Sequence, residues 1–455
     1  MMNKKSIIIL IAIILLGIIL YSVFVPRDEE DIWQWKEDWY EAFTLSNGMK
    51  VIVIPNSKIP AVSHIIWYRI GAMDEPYGKS GIAHFLEHLM FKGTLKHPDG
   101  KFSKTVAEGG GQENAFTSQD YTAYYQKVPL EQLETVMEME ADRMKGLTIA
   151  DEQMTSERSV VLEERNMQIE NNPRSLLNEQ MDAALFQNHP YGNPLIGWKH
   201  EIEALNTQDA LDFYHKYYDP QNAILIVGGD ITAEKLKPLA EKYYGAVQSE
   251  GKAEKLNIIE PPQRAERRVI MRDERVKQDE LWIDFYAPSH TYGASEHAYA
   301  LTLLSKILGG GTISRLYQEL VVKQKIAVMA GAQYSGLKRG PGSFTIYAIP
   351  AEGKTPEEVE AAIHKQLNLL ITKGVTEDEL ASAKKSMIAE MLYSREGLLG
   401  LSIIMGQVVA TGLEPEFVSK WTQNIGSVTA EQIRAAAAYT LKRNNSVTGV
   451  LKGNE

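Results

Sequence analysis

The chain contains no cysteine among its 455 residues. It therefore has no disulfide and no thiol for lipid attachment, and cysteine usage gives no indication of its redox compartment. It also lacks a basic excess, because 59 acidic residues outnumber 48 lysines and arginines and the net charge is −11. The two signs are interspersed along the chain, which argues against a nucleic-acid partner.

A phosphate-binding loop is absent as well. Residues 78–80 read Gly-Lys-Ser, which resembles the end of such a loop. The motif needs a glycine five residues before this one, and that position holds Met73. No nucleotide site is predicted.

The N-terminus carries a long apolar run. It extends from Ile7 to Val25, 19 residues with Ser22 as a mild interruption. As a helix it would span about 28 Å, close to the thickness of a bilayer core. Two lysines precede the run and the acidic residues 28–31 follow it. The positive-inside rule therefore places the N-terminus in the cytoplasm and the bulk of the chain outside.

A cleavable signal peptide is the alternative interpretation of this run. The run is long for that purpose, and residues 21–25 offer no small-x-small cleavage site. A mitochondrial transit peptide should be amphipathic and rich in arginine, and this segment is neither. We therefore expect a single-pass signal anchor at residues 1–26 in a bacterial inner membrane, with the catalytic domains in the periplasm or outside.

About 425 residues follow this anchor, enough for two or three hydrophobic cores. Residues 27–42 hold three tryptophans and many acids and are expected to form a tether. Residues 249–268 are polar, include Pro261–Pro262 and lack periodic apolar spacing, which predicts an interdomain linker. Two domains are therefore expected, at 43–248 and 269–455.

The most informative stretch reads His-Phe-Leu-Glu-His at residues 84–88. Because a helix advances about 100° per residue, His84, Glu87 and His88 lie on nearly the same face. Two neutral imidazoles at this spacing can bind one zinc ion and leave Glu87 free as a base. The order His-x-x-Glu-His is the inverzincin signature of zinc peptidases.

A solvated helix face that happens to carry two histidines is the competing interpretation. The flanking residues are apolar and predict a buried helix instead: Ile82, Ala83, Phe85, Leu86, Leu89, Met90 and Phe91. Buried imidazoles and a buried carboxylate need partners, and zinc supplies one.

A third zinc ligand is expected further along the chain. Residues 151–170 are rich in helix formers and contain no glycine or proline. Glu157 and Glu164 lie two helical turns apart and share a face, whereas Glu163 points about 100° away. A glutamate-rich helix is weak evidence alone, but together with the histidine motif it becomes specific.

The chain resembles the pitrilysin/insulinase family of zinc peptidases, in the two-domain branch that includes mitochondrial and bacterial processing peptidases. The resemblance covers nearly everything after residue 43. It rests on motifs that are long and ordered along the chain, at residues 44–51, 71–75, 81–94, 114–117, 189–192 and 218–223.

The resemblance implies one Zn²⁺ per chain, held by His84, His88 and Glu164. Zinc in such a site keeps one open position for water and lowers its pKa towards neutrality. Glu87 then acts as the catalytic base and passes the proton on to the leaving amine. Glu157 is expected to assist catalysis without binding zinc itself, by orienting one of the ligands or by tuning the base.

The family also implies an α+β fold of two similar domains. Residues 281–286 predict a strand, and residues 298–308 predict a helix that ends at three glycines. This order echoes the strand at residues 63–68 and the histidine helix that follows it. The repeat is weak in the sequence, but it fits a family whose two halves are alike.

A glycine run at residues 109–111 precedes an alternating segment, which on sequence alone is a turn entering a strand. In the family this segment resembles the edge strand that receives the substrate as an added strand. The resemblance implies that Asn114 and Ala115 bind substrate there. Backbone pairing has little sequence preference, so extended peptides or unfolded segments are the expected substrates.

The second half contains no His-x-x-Glu-His motif, so metal is expected in the first half only. Family members often carry an arginine and a tyrosine in the second half that clamp the substrate and stabilise the oxyanion. The matching positions here hold Val321 and Val328, which cannot donate a hydrogen bond. Tyr334 or Arg339 could replace them, although the spacing does not show it.

Two hypotheses follow from this departure. In the first, the chain is the zinc-bearing subunit of a dimer with a homologous non-catalytic chain, or with itself, and the partner supplies the arginine and tyrosine. In the second, it is a zinc-containing scaffold subunit of an envelope complex without cleavage activity. Because all three ligand positions and the base are intact, a zinc metalloendopeptidase is the favoured function.

Overall fold

The computed structural model describes residues 39–98, 100–251, 253, 258–394 and 397–453. The predicted anchor at residues 1–26 and most of the tether lie outside these residues, so the anchor stays a prediction. Within the described ranges, no helix has the length and apolar character needed to cross a membrane.

The first half of the chain builds a six-stranded sheet from described residues. Its strands are β1 (Glu41–Thr44), β2 (Lys50–Pro55), β3 (Ala61–Tyr68), β4 (Gln112–Thr117), β5 (Thr122–Pro129) and β6 (Ala223–Gly229). Their order in the sheet is β1-β2-β6-β3-β5-β4. The β2–β6 pair is parallel and the other pairs are antiparallel. Strand β4 therefore forms one edge.

The second half builds a five-stranded sheet. Its strands are β7 (Arg267–Arg272), β8 (Glu280–Ala287), β9 (Ala327–Ser335), β10 (Gly342–Pro350) and β11 (Ser446–Lys452), in the order β7-β11-β8-β10-β9. Only the β7–β11 pair is parallel among these described strands. Strands β2-β6-β3-β5-β4 have the same order and the same pairing directions. The expected likeness of the two halves is therefore confirmed at the level of topology.

Helices surround both sheets. In the first half they are α1 (Ile82–Leu89), α2 (Lys101–Glu108), α3 (Leu133–Gly146), α4 (Asp151–Arg165), α5 (Pro173–Leu185), α6 (Lys199–Ala204), α7 (Thr207–Tyr217) and α8 (Ala233–Ala240). In the second half they are α9 (Ala298–Gly309), α10 (Pro356–Lys373), α11 (Glu377–Ser394), α12 (Gly400–Ala410), α13 (Glu416–Ser427) and α14 (Ala430–Thr440).

Each sheet has its own hydrophobic core. In the first, Ile66 and Tyr124 of the sheet pack with Leu86 of α1 and Met137 of α3. In the second, residues of β8 alternate between buried and partly exposed, so the buried residues share one face of the strand. The buried set packs against α9, α10 and α14. This arrangement confirms a two-domain α+β fold.

The halves nevertheless exchange one helix each. Met181 of α5, in the first half, packs against the second sheet, where a Cβ at Gly449 would lie 2.1 Å from its sulfur. Gly406 of α12, in the second half, packs against the first sheet, where a Cβ would lie 1.9 Å from the Trp67 ring. Glycine at positions 406 and 449 permits these two close approaches.

The strands begin slightly earlier than the predicted domain boundaries. Strand β1 begins at Glu41, inside the predicted tether, because residues 41–44 pair with β2. Strand β7 begins at Arg267, inside the predicted linker, because Arg267 and Arg268 already pair with β11. The domain limits themselves stay predictions.

Candidate metal centre

The residue just before helix α1, which carries the histidine motif, must be glycine. Gly81 has φ +87°, and a Cβ there would lie 2.4 Å from the carbonyl oxygen of Ile196. The carboxyl group of Glu75 accepts the N–H groups of Gly81 and Ala83, both at 2.9 Å. These bonds satisfy two of the donors that a helix start leaves unpaired.

The apolar residues that flank the motif bury one side of α1. The two histidines therefore project from another side of the helix. Ile82, Phe85 and Leu86 are buried in the first core. The side chains of His84 and His88 keep exposed fractions of 13% and 22%. The motif therefore faces a partly open surface from within a buried helix.

The structure brings His84, His88 and Glu164 together. Glu164 Oε2 lies 3.6 Å from His84 Nε2 and 3.3 Å from His88 Nε2. Tetrahedral zinc with bonds of 2.0–2.1 Å places its ligand atoms about 3.3–3.4 Å apart. Both distances from Glu164 Oε2 are therefore close to the spacing that one zinc ion requires, and the three ligand atoms lie within 4.8 Å of one another. Histidine and glutamate are residue types that bind zinc.

A second acidic cluster does not fit a metal equally well. One atom each from Glu266, Glu360 and His364 lies within 4.8 Å of the others. However, Arg268 Nη1 contacts both Glu360 oxygens at 3.0 and 2.8 Å, and Arg443 lies 3.9 Å from Glu266. The arginines already neutralise these carboxylates, so we assign no cation there.

Glu157 stands behind His88 rather than among the ligands. Its Oε1 lies 2.9 Å from His88 Nδ1, and its Oε2 lies 2.6 Å from Lys92 Nζ. The hydrogen bond with His88, followed by the contact with Lys92, lowers the pKa of Glu157 to about 2. As a carboxylate it accepts the Nδ1–H of His88, which leaves the Nε2 lone pair free on the side of Glu164.

His84 lacks such support. Its Nδ1 is buried and has no hydrogen-bond partner among the described residues. Burial, with a smaller contribution from His88, lowers the pKa of His84 to about 3. The ring is therefore neutral near pH 7, the form in which imidazole binds a metal.

Glu164 is oriented by a turn that continues α4. Residues Asn166–Glu170 form a π-helix, and within it Gln168 Nε2 donates to Glu164 Oε1 at 2.7 Å. This bond leaves Oε2 directed at the histidines. Glu163 points elsewhere, as the helical spacing predicts, and accepts a hydrogen bond from Asn166.

Glu87 is buried to an exposed fraction of 9% beside the histidines. Its Oε2 accepts a hydrogen bond from Thr117 Oγ1 at 2.5 Å. Burial raises the pKa of Glu87, and the hydrogen bond from Thr117 opposes that rise. Among the described residues, Glu87 is not one of the three groups whose ligand atoms converge. This position is consistent with a proton-accepting role.

Sequence reasoning missed Thr117, Lys92 and Gln168. The sequence spacing could have indicated two of them. Lys92 follows His88 by four residues and Gln168 follows Glu164 by four, which is the spacing of neighbours on a helix. No spacing indicated Thr117, because its contact with Glu87 joins a strand to a helix 30 residues away.

The chain matches the family model described as insulinase (peptidase family M16) over residues 50–199. It also matches the model described as the peptidase M16 inactive domain over residues 204–387. The chain belongs to the M16 family. The resemblance inferred from the sequence motifs is thereby confirmed.

Relatives of this M16 chain carry protease names. It is similar to the zinc protease PqqE of Helicobacter pylori, at 31% identity over 365 residues that cover 78% of this chain and 80% of that protein. It is 28% identical to the uncharacterised zinc protease YmxG of Bacillus subtilis, over 78% of this chain and 84% of that one.

Solved structures show the same fold. A protease from Helicobacter pylori superposes with a TM-score of 0.85 at 28% identity, covering 91% of this chain and 99% of that one. Pitrilysin superposes with a TM-score of 0.75 at 19% identity, over 92% of this chain and 45% of that one. The second likeness concerns the fold alone.

In this M16 chain the residues predicted to bind substrate lie on an edge strand. Asn114 and Ala115 belong to β4, which pairs with β5 and forms the edge of the first sheet in the described structure. Asn114 is exposed, and its Oδ1 accepts the N–H of Ala115 at 2.9 Å. A free strand edge can receive an extended peptide. Their role in substrate binding stays a prediction.

The two suggested replacements for the missing arginine and tyrosine are engaged elsewhere. Tyr334 donates its hydroxyl to the carbonyl of Pro288 at 2.6 Å. The side chain of Arg339 is 8% exposed and binds both carboxylate oxygens of Asp74, at 2.7 and 3.1 Å. It joins the two halves, so these contacts argue against either side chain as a replacement. Val328 is half exposed on β9.

Proposed function

We propose that the chain is a zinc metalloendopeptidase that hydrolyses peptide bonds in extended peptides or unfolded segments. The observation that carries this proposal is the convergence of Glu164 Oε2 and the two histidine Nε2 atoms at zinc-ligand spacing. Glu87, on the same helix, stands beside them without being one of the converging groups. The zinc-protease names of the relatives support the same activity.

His84, His88 and Glu164 would hold the ion. Zinc, when bound there, supplies an acidified water and a Lewis acid for the peptide carbonyl. Glu87 takes the proton from the attacking water and later delivers it to the leaving amine, so that the proton balance closes. Glu157 keeps the proton of His88 on Nδ1, and Asn114 and Ala115 position the peptide on the edge of β4.

The decisive variant is Glu87→Gln. It preserves the size of the side chain but cannot accept a proton, so we expect zinc to remain at one per chain while cleavage is abolished. Metal analysis and hydrolysis of an unfolded peptide, with and without a chelator, measure both. Turnover at the wild-type rate in this variant would contradict the mechanism.

We propose further that the active form is a dimer. The support is the pair of aliphatic residues Val321 and Val328 at positions where the family often has an arginine and a tyrosine. If a homologous partner supplies the arginine and the tyrosine, the isolated protein should bind zinc but cleave peptides slowly. Addition of the partner should then raise the rate of cleavage. Full activity of a purified homodimer would exclude a separate non-catalytic partner.

Val321 and Val328 are also compatible with the second hypothesis, a zinc-containing scaffold subunit without cleavage activity. A zinc-containing subunit without catalytic activity would show no chelator-sensitive cleavage either alone or with a partner recovered from the membrane. Cleavage that disappears with the chelator and returns with zinc rejects that alternative.

For localisation we propose a signal anchor at residues 1–26, on the support of the apolar run and its flanking charges. The full chain should then sediment with membranes and resist extraction by salt or alkali. A chain lacking residues 1–26 should remain in the supernatant. Release of the full chain by alkali alone would reject the anchor.

A further inference from the structure

The carboxyl group of Glu87 is held from a different element of the fold. Thr117, the last residue of β4, donates its hydroxyl to Glu87 Oε2 at 2.5 Å. The backbone N–H of Thr117 also donates to this carboxyl group, and among the described residues the hydroxyl supplies the one hydrogen bond that Glu87 accepts from a side chain. Because Glu87 is largely buried, a bond to its carboxylate is stronger here than in water.

The direction of this hydrogen bond follows from the donors available. An ionised carboxylate has no proton to give, and a threonine hydroxyl has one. Thr122 Oγ1 lies 3.4 Å from Thr117 Oγ1 and can donate to it, although Thr122 also reaches the carbonyl of Ile70 at 3.2 Å. The proton of Thr117 is therefore directed at Glu87.

We propose that Thr117 is the positioning residue for the base of the reaction. Its hydroxyl occupies Oε2 of Glu87 and, together with the backbone N–H of the same residue, limits the rotation of the carboxyl group that receives the proton from water. This inference rests on the proposed peptidase function and deepens it.

The same strand also carries the predicted peptide-binding residues. Asn114 and Ala115 precede Thr117 on β4, which lies against α1. A peptide added to the edge of β4 and the base on α1 are thus positioned by one strand. Removing the hydroxyl of Thr117 loosens the base without removing any backbone group that pairs with the peptide. The catalytic rate should fall while peptide binding is retained.

The test compares Thr117→Val with Thr117→Ser. Valine has nearly the shape of threonine and no hydroxyl, whereas serine keeps the hydroxyl and loses a methyl group. Thr117→Val should lower kcat by about 10–100-fold, the usual effect of losing a hydrogen bond to a charged group. KM, zinc content and melting temperature should stay at wild-type values. Thr117→Ser should recover most of the rate.

A matched control removes a hydroxyl that does not approach Glu87. Thr105 lies on the surface of α2 and bonds to the carbonyl of Lys101, so Thr105→Val should behave like the wild type. Equal loss in the Val and Ser variants of Thr117, or a rise in KM with kcat unchanged, would overturn the positioning role.

A second measurement does not depend on activity. In crystals of the zinc-loaded proteins, Glu87 should occupy a single conformer in the wild type and in Thr117→Ser, and several conformers in Thr117→Val. A single, unmoved Glu87 conformer in Thr117→Val would overturn the inference even if the protein proved to be inactive. Inactivity of the zinc-loaded wild type would count against the proposed function alone.

Discussion

Helices α1 and α9 follow corresponding strands of the two sheets, yet they carry opposite kinds of side chain. Helix α1 places His84, Glu87 and His88 at the spacing i, i+3, i+4, whereas α9 has buried Leu304, Ile307 and Leu308 at that spacing. The strand order around both helices is the same. The same strand order thus accommodates a helix with a polar face in the first half and a helix with an apolar face in the second.

The difference also shows what each helix requires from its surroundings. Buried imidazoles and carboxylates lose hydration, which costs free energy unless partners replace the lost water. In the first half these partners come from three elements: Glu157 on α4, Thr117 on β4 and the π-helical Gln168. In the second half, aliphatic packing alone suffices.

The largest expected effect separates two neighbouring glutamates. Glu164→Gln should reduce bound zinc from one per chain to none, because an amide is a poor zinc ligand and Oε2 is the atom that faces both histidines. Glu163→Gln, one residue away and pointing elsewhere, should retain zinc fully. Metal analysis after dialysis measures both, and equal zinc content in the two variants would contradict the assignment of Glu164 as the third ligand.

A smaller effect is expected from the apolar face of α9 in the second half. Leu304 is fully buried, so Leu304→Ala should lower the free energy of unfolding by about 2–5 kcal/mol. Zinc content should not change. Denaturant unfolding of the metal-free proteins gives the first quantity, and a loss of zinc in Leu304→Ala would show that the halves are not independent in this respect.

The smallest effect concerns the carboxyl group of Asp284, on β8 in the second half. Burial raises the pKa of Asp284 to about 6, while a hydrogen bond from Thr345 acts against that rise. Because the folded pKa is raised, the stabilising contribution of this group is complete below about pH 4 and is lost as the pH rises through about 6. Asp284→Asn should remove this component.

The measurement is the free energy of unfolding of metal-free wild type and Asp284→Asn between pH 4 and pH 8. The wild type should lose stability relative to the variant as the pH rises across this range. A difference between the two proteins that does not change with pH would show that Asp284 does not titrate in this way.

The elements of the candidate site were predictable where local periodicity decides them. The 100° step of the helix places His84, Glu87 and His88 on one face and separates Glu164 from Glu163. The strand at residues 281–286 and the helix at 298–308 are present at β8 and α9, each slightly longer than predicted.

What the sequence did not reveal are the contacts between distant segments. The approach of Thr117 to Glu87 depends on how β4 packs against α1, and no spacing along the chain encodes it. Two departures from the family led to Tyr334 and Arg339 as replacements, and only their tertiary contacts with Pro288 and Asp74 showed that both are engaged. The same limitation applies to the exchange of α5 and α12.

That exchange has a consequence for the behaviour of the chain as a whole. Each half is completed by a piece of the other, so neither should fold when it is expressed alone, and a proteolytic nick between them should leave a complex that stays together. In the proposed dimer, we therefore expect an opening that admits a peptide to arise between the two subunits and not by separation of the halves.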